Sequence, residues 1–295
     1  MKVTNDYQDF EIIDTSLGDK LERWGNIYLL RPDPQVMWDN GNLEEKYKNV
    51  INSVYYRSST GGGHWEDKRK VPASWIISYR DMKFNIKKMG FKHTGLFPEQ
   101  SFNWNYIRER ISKEKRDINV LNLFAYTGGA TVASMMAGAS VVHVDSSRGM
   151  VDWAKENIKL NNLDETKIRY IVDDVIKFVK REIRRGHKYD VIIMDPPSFG
   201  RGANGEIWNI EKDLYELLTL CQDLLSDKPL FMLVNSYSGL SPILLENMLK
   251  LTNKRKNVKI TSDEIGLPIK ENNLILPCGI YGRVDYEWFK CFIWR

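Results

Sequence analysis

The chain has 295 residues, long enough for one large α/β domain and a smaller appended one. Its hydrophobic (42%) and charged (28%) fractions suit a globular protein, and a formal net charge of +4 is too modest to decide between nucleic-acid and other partners. No apolar run approaches the ~18 residues that span a bilayer, and the first residues hold no secretory core, so a cytoplasmic protein with no membrane segment is expected.

Residues 1–90 carry short strand candidates at Asn26 to Leu30, Tyr55-Tyr56 and Trp75 to Tyr79, dense aromatics, and a flexible loop from Ser58 to Gly63. They predict a small β-rich N-terminal domain. Residues 91–118 read as a linking segment.

Residues 119–295 alternate between the two periodicities. Strands are expected at Val120 to Phe124, Ser140 to Asp145, Ile168 to Val172, Tyr189 to Met194 and Pro229 to Asn235. Helices are expected at Ala130 to Ala137, Gly149 to Asn161, Val175 to Arg185 and Leu214 to Leu225, with another after Pro242. Such alternation means βαβ units and a mostly parallel sheet covered on both faces. The wholly apolar Val191-Ile192-Ile193-Met194 fits a strand buried on both sides. Val258 to Ile260 and Trp288 to Trp294 suggest a closing hairpin at the sheet edge.

Ligands of an open parallel sheet bind beyond the carboxyl ends of its strands, where strand order reverses. The first core strand runs into Phe124-Ala125-Tyr126-Thr127-Gly128-Gly129, whose glycines admit close backbone approach and whose following helix presents its amides. Asp145, with Ser146, closes the second strand, where a carboxylate can accept from both ribose hydroxyls. Asp173-Asp174-Val175 follows the third and is placed for an adenine amino group. Asp195 closes the fourth. Acids at three neighbouring strand ends repel one another, so their clustering points to a nucleoside ligand. The pyrophosphate-binding G-x-G-x-x-G pattern is absent, which favours S-adenosylmethionine over a dinucleotide.

Asp195-Pro196-Pro197-Ser198-Phe199 stands where an acceptor would meet the methyl group. Paired prolines stiffen the backbone that carries the carboxylate, and Phe199 can stack on a flipped-out base. Asp195, Pro196, Pro197 and Phe199 are therefore the catalytic candidates. Gly200 to Gly205, glycine-rich and basic, is expected to form a lid over substrate. The three cysteines and four histidines are scattered, so no metal site is expected. Cys221 is expected on a helix, Cys291 in the last strand, and Cys278 in a loop that reaches a pocket. Basic runs at Arg108 to Arg116, Lys177 to Lys188 and Lys250 to Lys256 could meet phosphates, or be solvated faces balanced by their interspersed glutamates.

These segments resemble the large-subunit ribosomal-RNA methyltransferases of the RlmI and RlmK type. The likeness rests on Phe91 to Gln100 (FKHTGLFPEQ), Val120 to Thr131, His143 to Asp145, Asp173-Asp174-Val175, Tyr189 to Phe199, Asn235 to Gly239 (NSYSG) and Trp288 to Arg295. It implies a class I methyltransferase fold with a seven-stranded sheet, S-adenosylmethionine as donor, and a base of ribosomal RNA as acceptor. It also implies that Lys92, Thr94, Gly95, Glu99 and Gln100 belong to a loop closing over the cofactor, Thr94 and Gln100 as its contacts. Two departures stand out. Relatives that methylate cytosine C5 carry a nucleophilic Cys where this chain has Tyr237, and a phenol of pKa ~10 is a poor substitute for a thiolate. Residues 1–90 also do not match the RNA-binding PUA domain of many relatives. A small-molecule methyltransferase and a non-catalytic RNA-binding relative therefore stay open, as does the choice between monomer and homodimer.

Overall fold

A computed structural model describes residues 1–59, 62–202, 205–237 and 239–286. The backbone forms two compact units, one comprising residues 1–102, 156–162 and 265–278, the other 103–155, 163–264 and 279 onward.

The smaller unit is β-rich. Strands β1 (Lys2–Val3), β2 (Phe10–Ser16), β3 (Asp19–Trp24), β4 (Ile27–Pro32), β5 (Ser53–Arg57) and β6 (Gly63–Asp67) precede a hairpin of β7 (Trp75–Tyr79) and β8 (Met82–Ile86). Strands β2 to β6 form one sheet in chain order, antiparallel except between β4 and β5. Leu21, Leu30, Ile51 and Val54 close its core with Leu43 of the short helix α1 (Leu43–Lys46). Glu22 is fully buried there because Arg31 grips it from Nε and a terminal nitrogen, at 2.6 and 2.9 Å, while the Trp24 indole donates at 3.1 Å. Arg31 and Lys20, the latter 3.2 Å away, outweigh the cost of burial and hold its carboxyl down at about 2.

Helix α2 (Ser101–Ser112) leads into the larger unit. There β9 (Asn119–Leu123), α3 (Gly129–Met136), β10 (Ser140–Asp145), α4 (Arg148–Leu160), β11 (Ile168–Val172), α5 (Val175–Arg184) and β12 (Val191–Met194) follow in βα alternation. A small hairpin of β13 (Phe199–Arg201) and β14 (Ile207–Asn209) precedes α6 (Ile210–Gln222), β15 (Phe231–Ser236), α7 (Pro242–Thr252), β16 (Val258–Pro268) and β17 (Ile275–Tyr286). The sheet order is β16-β17-β15-β12-β9-β10-β11. Strands β9, β10, β11, β12 and β15 are parallel and β17 runs antiparallel to β15. This is the expected α/β, Rossmann-like class I arrangement of seven strands. The tips of β16 and β17 belong to the smaller unit, where β1 adds a strand beside β16.

Burial on both faces explains the apolar strands: Val191 to Met194 and Phe231 to Val234 are all at most 2% exposed. Helix α6 turns Ile210, Leu214, Leu217, Leu218 and Cys221 inward at helical spacing, joining Val175, Phe178 and Val179 of α5 in one core. Caps set the helix starts: Asp174 accepts from Lys177 N at 2.9 Å, Asn209 from Glu211 N at 2.9 Å, and Ser241 from Leu244 N at 3.3 Å.

Three sequence expectations change. The closing pair is Val258–Pro268 with Ile275–Tyr286, sheet neighbours joined through 269–274, whereas Trp288 to Trp294 and Cys291 lie outside the described residues. Cys278 sits inside the strand β17, not in a loop, 7% exposed and donating to Leu276 O at 3.3 Å. Its burial, with Glu99 nearby, pushes the thiol far up, away from any nucleophilic form. The expected lid is largely a hairpin: Phe199, Gly200 and Arg201 pair with Asn209, Trp208 and Ile207, with residues 203 and 204 outside the described residues.

Candidate active site

Register places the candidate residues. Leu123 stands level with Val144 of β10 and with Met194 of β12, and Met194 is level with Val234 of β15. One residue further on, Asp145, Phe124, Asp195 and Asn235 therefore form a single row along the carboxyl edge of four adjacent strands. Strand order reverses between β9 and β12, so the middle of this row is the crevice such sheets use for ligands. With strands about 4.8 Å apart, Asp145 and Asp195 stand roughly 10 Å from each other across the turn that follows β9.

That turn is strained. Phe124 and Tyr126 hold φ of 53° and 51°, a left-handed conformation costing roughly 1–2 kcal/mol for each bulky residue. Gly128 caps α3 at φ 88°, with Ala154 Cβ only 3.2 Å from where its own Cβ would be. A Cβ on Gly129 would meet the Trp104 ring at 2.8 Å, so this second glycine lets α2 lie close against α3. Beneath the turn, Asn122 Nδ2 donates to Thr131 Oγ1 at 2.9 Å, and Thr131 Oγ1 lies 3.0 Å from His143 Nδ1. All three side chains are buried, and burial lowers His143 to about 3, so this support is uncharged at neutral pH. Ala125 is buried and its amide bonds to Val144 O at 3.0 Å; Thr127 is buried beside it.

Asp145 accepts from Tyr126 N at 2.9 Å through one oxygen and from Ser147 N at 2.8 Å through the other. The two amides fix the carboxylate plane and still leave lone pairs for two further donors. Burial nevertheless raises its pKa, opposed by those amides. Ser146 next to it is half-buried.

Asp173 and Asp174 divide their tasks. Asp173 N donates to Asp145 O at 3.2 Å and its carboxylate pairs with Arg181, while the Asp174 side chain caps α5. Val175 points into the core, 3% exposed.

Asp195 is the odd member of the row. It is half-buried, has no hydrogen bond or ion pair among the described residues, and burial pushes its pKa up to about 7. Pro196 is buried; Pro197 and Phe199 face solvent, Phe199 at 54% exposure with the Arg201 guanidinium 6.0 Å from its ring centre. Neighbouring Asn235 is buried and accepts from Asn103 Nδ2 at 2.8 Å. Tyr237, two residues on, is 38% exposed.

Thr94 and Gln100 belong to the smaller unit. Thr94 is fully buried and its hydroxyl has no partner among the described residues. Gln100 ends a single turn, Pro98–Gln100, its amide bonded to Phe97 O at 3.1 Å.

Sequence reasoning missed Trp208. Its indole N–H donates to Pro197 O at 2.7 Å and its ring packs 4.8 Å from that of Phe124. Its strand, Ile207–Asn209, is too short to show alternation, so the sequence offered no signal for it. No helix among the described residues is long and apolar enough to cross a membrane.

A sheet in this order, with carboxylates on the row flanking its switch point, defines an α/β protein built for a nucleoside-type cofactor. Residues 47–249, more than half of the chain, match the sequence model of the S-adenosylmethionine-dependent methyltransferases, and the chain belongs to that family. S-adenosylmethionine is its cofactor. The SAM-dependent methyltransferase of Agrobacterium tumefaciens superposes with a TM-score of 0.91 at 32% identity, over 97% of this chain and 93% of that one. Ribosomal RNA large subunit methyltransferase I of Enterobacter sp. (strain 638) is 41% identical over 129 residues, 43% of this chain and 32% of that protein. Ribosomal RNA large subunit methyltransferase K/L of Shewanella frigidimarina is 36% identical over 154 residues, 52% of this chain and 20% of that protein. The chain thus spans about a third and a fifth of the lengths of these two relatives.

Proposed function

We propose that this protein transfers the methyl group of S-adenosylmethionine to a base of ribosomal RNA, with Asp195 and Phe199 positioning the acceptor. The observation that carries the reading is the row of Asp145, Phe124, Asp195 and Asn235, because it offers two carboxylates in different states on either side of one turn. The donor set suits the cofactor: the prearranged Asp145 for ribose hydroxyls, and Asp195, without a partner among the described residues, for a neighbouring positive charge. We assign cofactor contacts to Phe124 to Gly129, Asp145, Ser146, Asp173 to Val175 and Asp195. Residues 1–90 serve as a small β module, 91–118 as the connecting segment that contributes to the site, and 119–295 as the transfer domain.

When bound, the cofactor supplies an electrophilic methyl on a sulfonium, so the protein's work is mostly placement. Asp195, held by the stiff Pro196-Pro197 backbone, orients the acceptor's donor group and takes its proton. A pKa near neutrality suits that exchange. Exposed Phe199 provides a ring on which a base can stack. The acceptor atom is a nitrogen, an oxygen or an already activated carbon. Cytosine C5 is disfavoured: the larger unit's described thiol, Cys221, is sealed in the core with its pKa pushed far up by burial, and Tyr237 stands at the matching position. The two ribosomal-RNA relatives support RNA over a small molecule as acceptor. That acceptor implies a cytoplasmic setting.

The test is incubation with labelled S-adenosylmethionine and RNA from cells lacking the gene, followed by mapping of the labelled nucleoside. Label in one ribosomal-RNA base supports the reading. Label confined to a small-molecule fraction, or cofactor binding with no transfer at all, overturns it.

A further inference from the structure

We propose that Trp208 is a positioning residue that couples the cofactor turn to the acceptor motif; the inference rests on the assignment of those two segments above. Trp208 lies on β14, 8% exposed, level with Gly200 of β13. It touches both functional segments of the larger unit with different parts of one side chain. The indole N–H donates to the Pro197 carbonyl at 2.7 Å, while the ring packs against Phe124 with centres 4.8 Å apart and planes at 57°. Phe124 is the strained member of the sheet-edge row, between Asp145 and Asp195.

The neighbouring bonds show that this is one clamp. Ile210 N donates to Ser198 O at 3.0 Å, and Phe199 is paired with Asn209. Asn209 caps α6 through Glu211 N at 2.9 Å and itself donates from its amide to Asp213 Oδ2 at 2.7 Å. The segment that follows Asp195 is therefore fastened residue by residue to the start of a helix whose inner face is core. Gly200 completes the fit: a Cβ there would lie 3.5 Å from Pro197 Cγ and 3.9 Å from Trp208 Cβ.

Two consequences follow. The indole N–H takes one lone pair of the Pro197 carbonyl and so fixes the direction of the peptide two residues after Asp195. Phe124 holds a left-handed backbone while its ring leans on Trp208, so a backbone shift at Phe124 presses on that ring. Filling the turn with cofactor thus bears on the same indole that sets the direction of the Pro197 peptide.

The test separates the two parts of the side chain. Trp208→Phe keeps an aromatic ring against Phe124 and removes the N–H; Trp208→Leu removes both. For Trp208→Phe, kcat is expected to fall about tenfold, the worth of one well-made buried hydrogen bond, with S-adenosylhomocysteine affinity within about threefold. For Trp208→Leu that affinity is expected to weaken about tenfold as well, since Phe124 loses its support. A readout independent of turnover uses 5-fluorotryptophan: the 19F resonance assigned to Trp208 by its loss in Trp208→Phe should shift on saturation with S-adenosylhomocysteine. Phe124→Leu approaches the contact from the other side and should reduce that shift, which keeps the proposal testable if Trp208→Leu folds poorly. An unmoved resonance at saturation overturns the coupling, as does wild-type kcat in Trp208→Phe. If the protein methylates no RNA, the proposed function fails while the resonance and affinity still decide the role of Trp208.

Discussion

Asp145 and Asp195 flank the turn after β9 from its two sides, in one row of the same sheet, yet their carboxylates are treated differently. Asp145 receives a backbone amide on each oxygen, at 2.9 and 2.8 Å, so its geometry exists before any ligand arrives. Asp195 receives nothing among the described residues, and burial alone lifts it to about 7. The first arrangement suits a group that must hold neutral hydroxyls in fixed directions. The second suits a group whose charge is wanted only when a cation or an acidic proton is beside it. One edge of a sheet thus carries one carboxylate fixed by backbone amides and another without a partner among the described residues.

The sharpest way to break this contrast is to remove each carboxylate in turn. Asp195→Ala is expected to lower turnover by about 10²–10⁴, the usual loss for an acid–base group, while S-adenosylmethionine affinity stays within about tenfold by calorimetry. Turnover at the wild-type rate would take Asp195 out of the reaction. Asp145→Ala is expected to do the opposite, weakening cofactor binding by about 1–3 kcal/mol, roughly five- to 150-fold; unchanged affinity would remove it from the ribose role.

Titration sharpens the comparison further. Asp195 is neutral below about pH 7 in the free protein and must lose its proton to face a sulfonium, so S-adenosylmethionine should bind roughly two- to fivefold more tightly at pH 8 than at pH 6. S-adenosylhomocysteine, with an uncharged thioether, should show no such slope; parallel profiles for both ligands would contradict the assignment. The sign agrees with stability. A carboxyl whose pKa rises on folding favours the folded state when protonated, so the ligand-free fold should lose stability as pH climbs from the ordinary 3.8 through about 7. In the smallest effect, Asp174→Ser, which preserves the cap of α5, should leave melting temperature and cofactor affinity nearly unchanged, whereas Asp174→Ala should cost about 1 kcal/mol of stability. A large loss of cofactor affinity in Asp174→Ser would mean that the carboxylate meets adenine as well as capping the helix.

Much of this edge was legible in the sequence because it obeys simple rules. Ser140–Asp145 ends in an acid and Ile168–Val172 is followed by one, and the structure ends both strands at those residues. What was illegible depends on tertiary context. Helix α2 escaped notice because Asn103, buried and bonded to Asn235, interrupts its apolar stripe. Cys278, between Pro277 and Gly279, read as part of a loop, but it lies within the strand Ile275–Tyr286, where a Cβ on Gly279 would strike the Ser236 carbonyl at 2.4 Å. Trp208 carries no local pattern at all; only the folded chain brings it to Pro197 and Phe124. The satisfied state of Asp145 and the unsatisfied state of Asp195 are likewise invisible as letters.

The most direct test of the central claim is a crystal structure with S-adenosylhomocysteine bound. The account predicts both ribose hydroxyls within about 3 Å of the Asp145 carboxylate, with Tyr126 N and Ser147 N still on it, and the sulfur lying toward Asp195. A ribose bound away from Asp145, or a sulfur on the far side of the turn from Asp195, would contradict it.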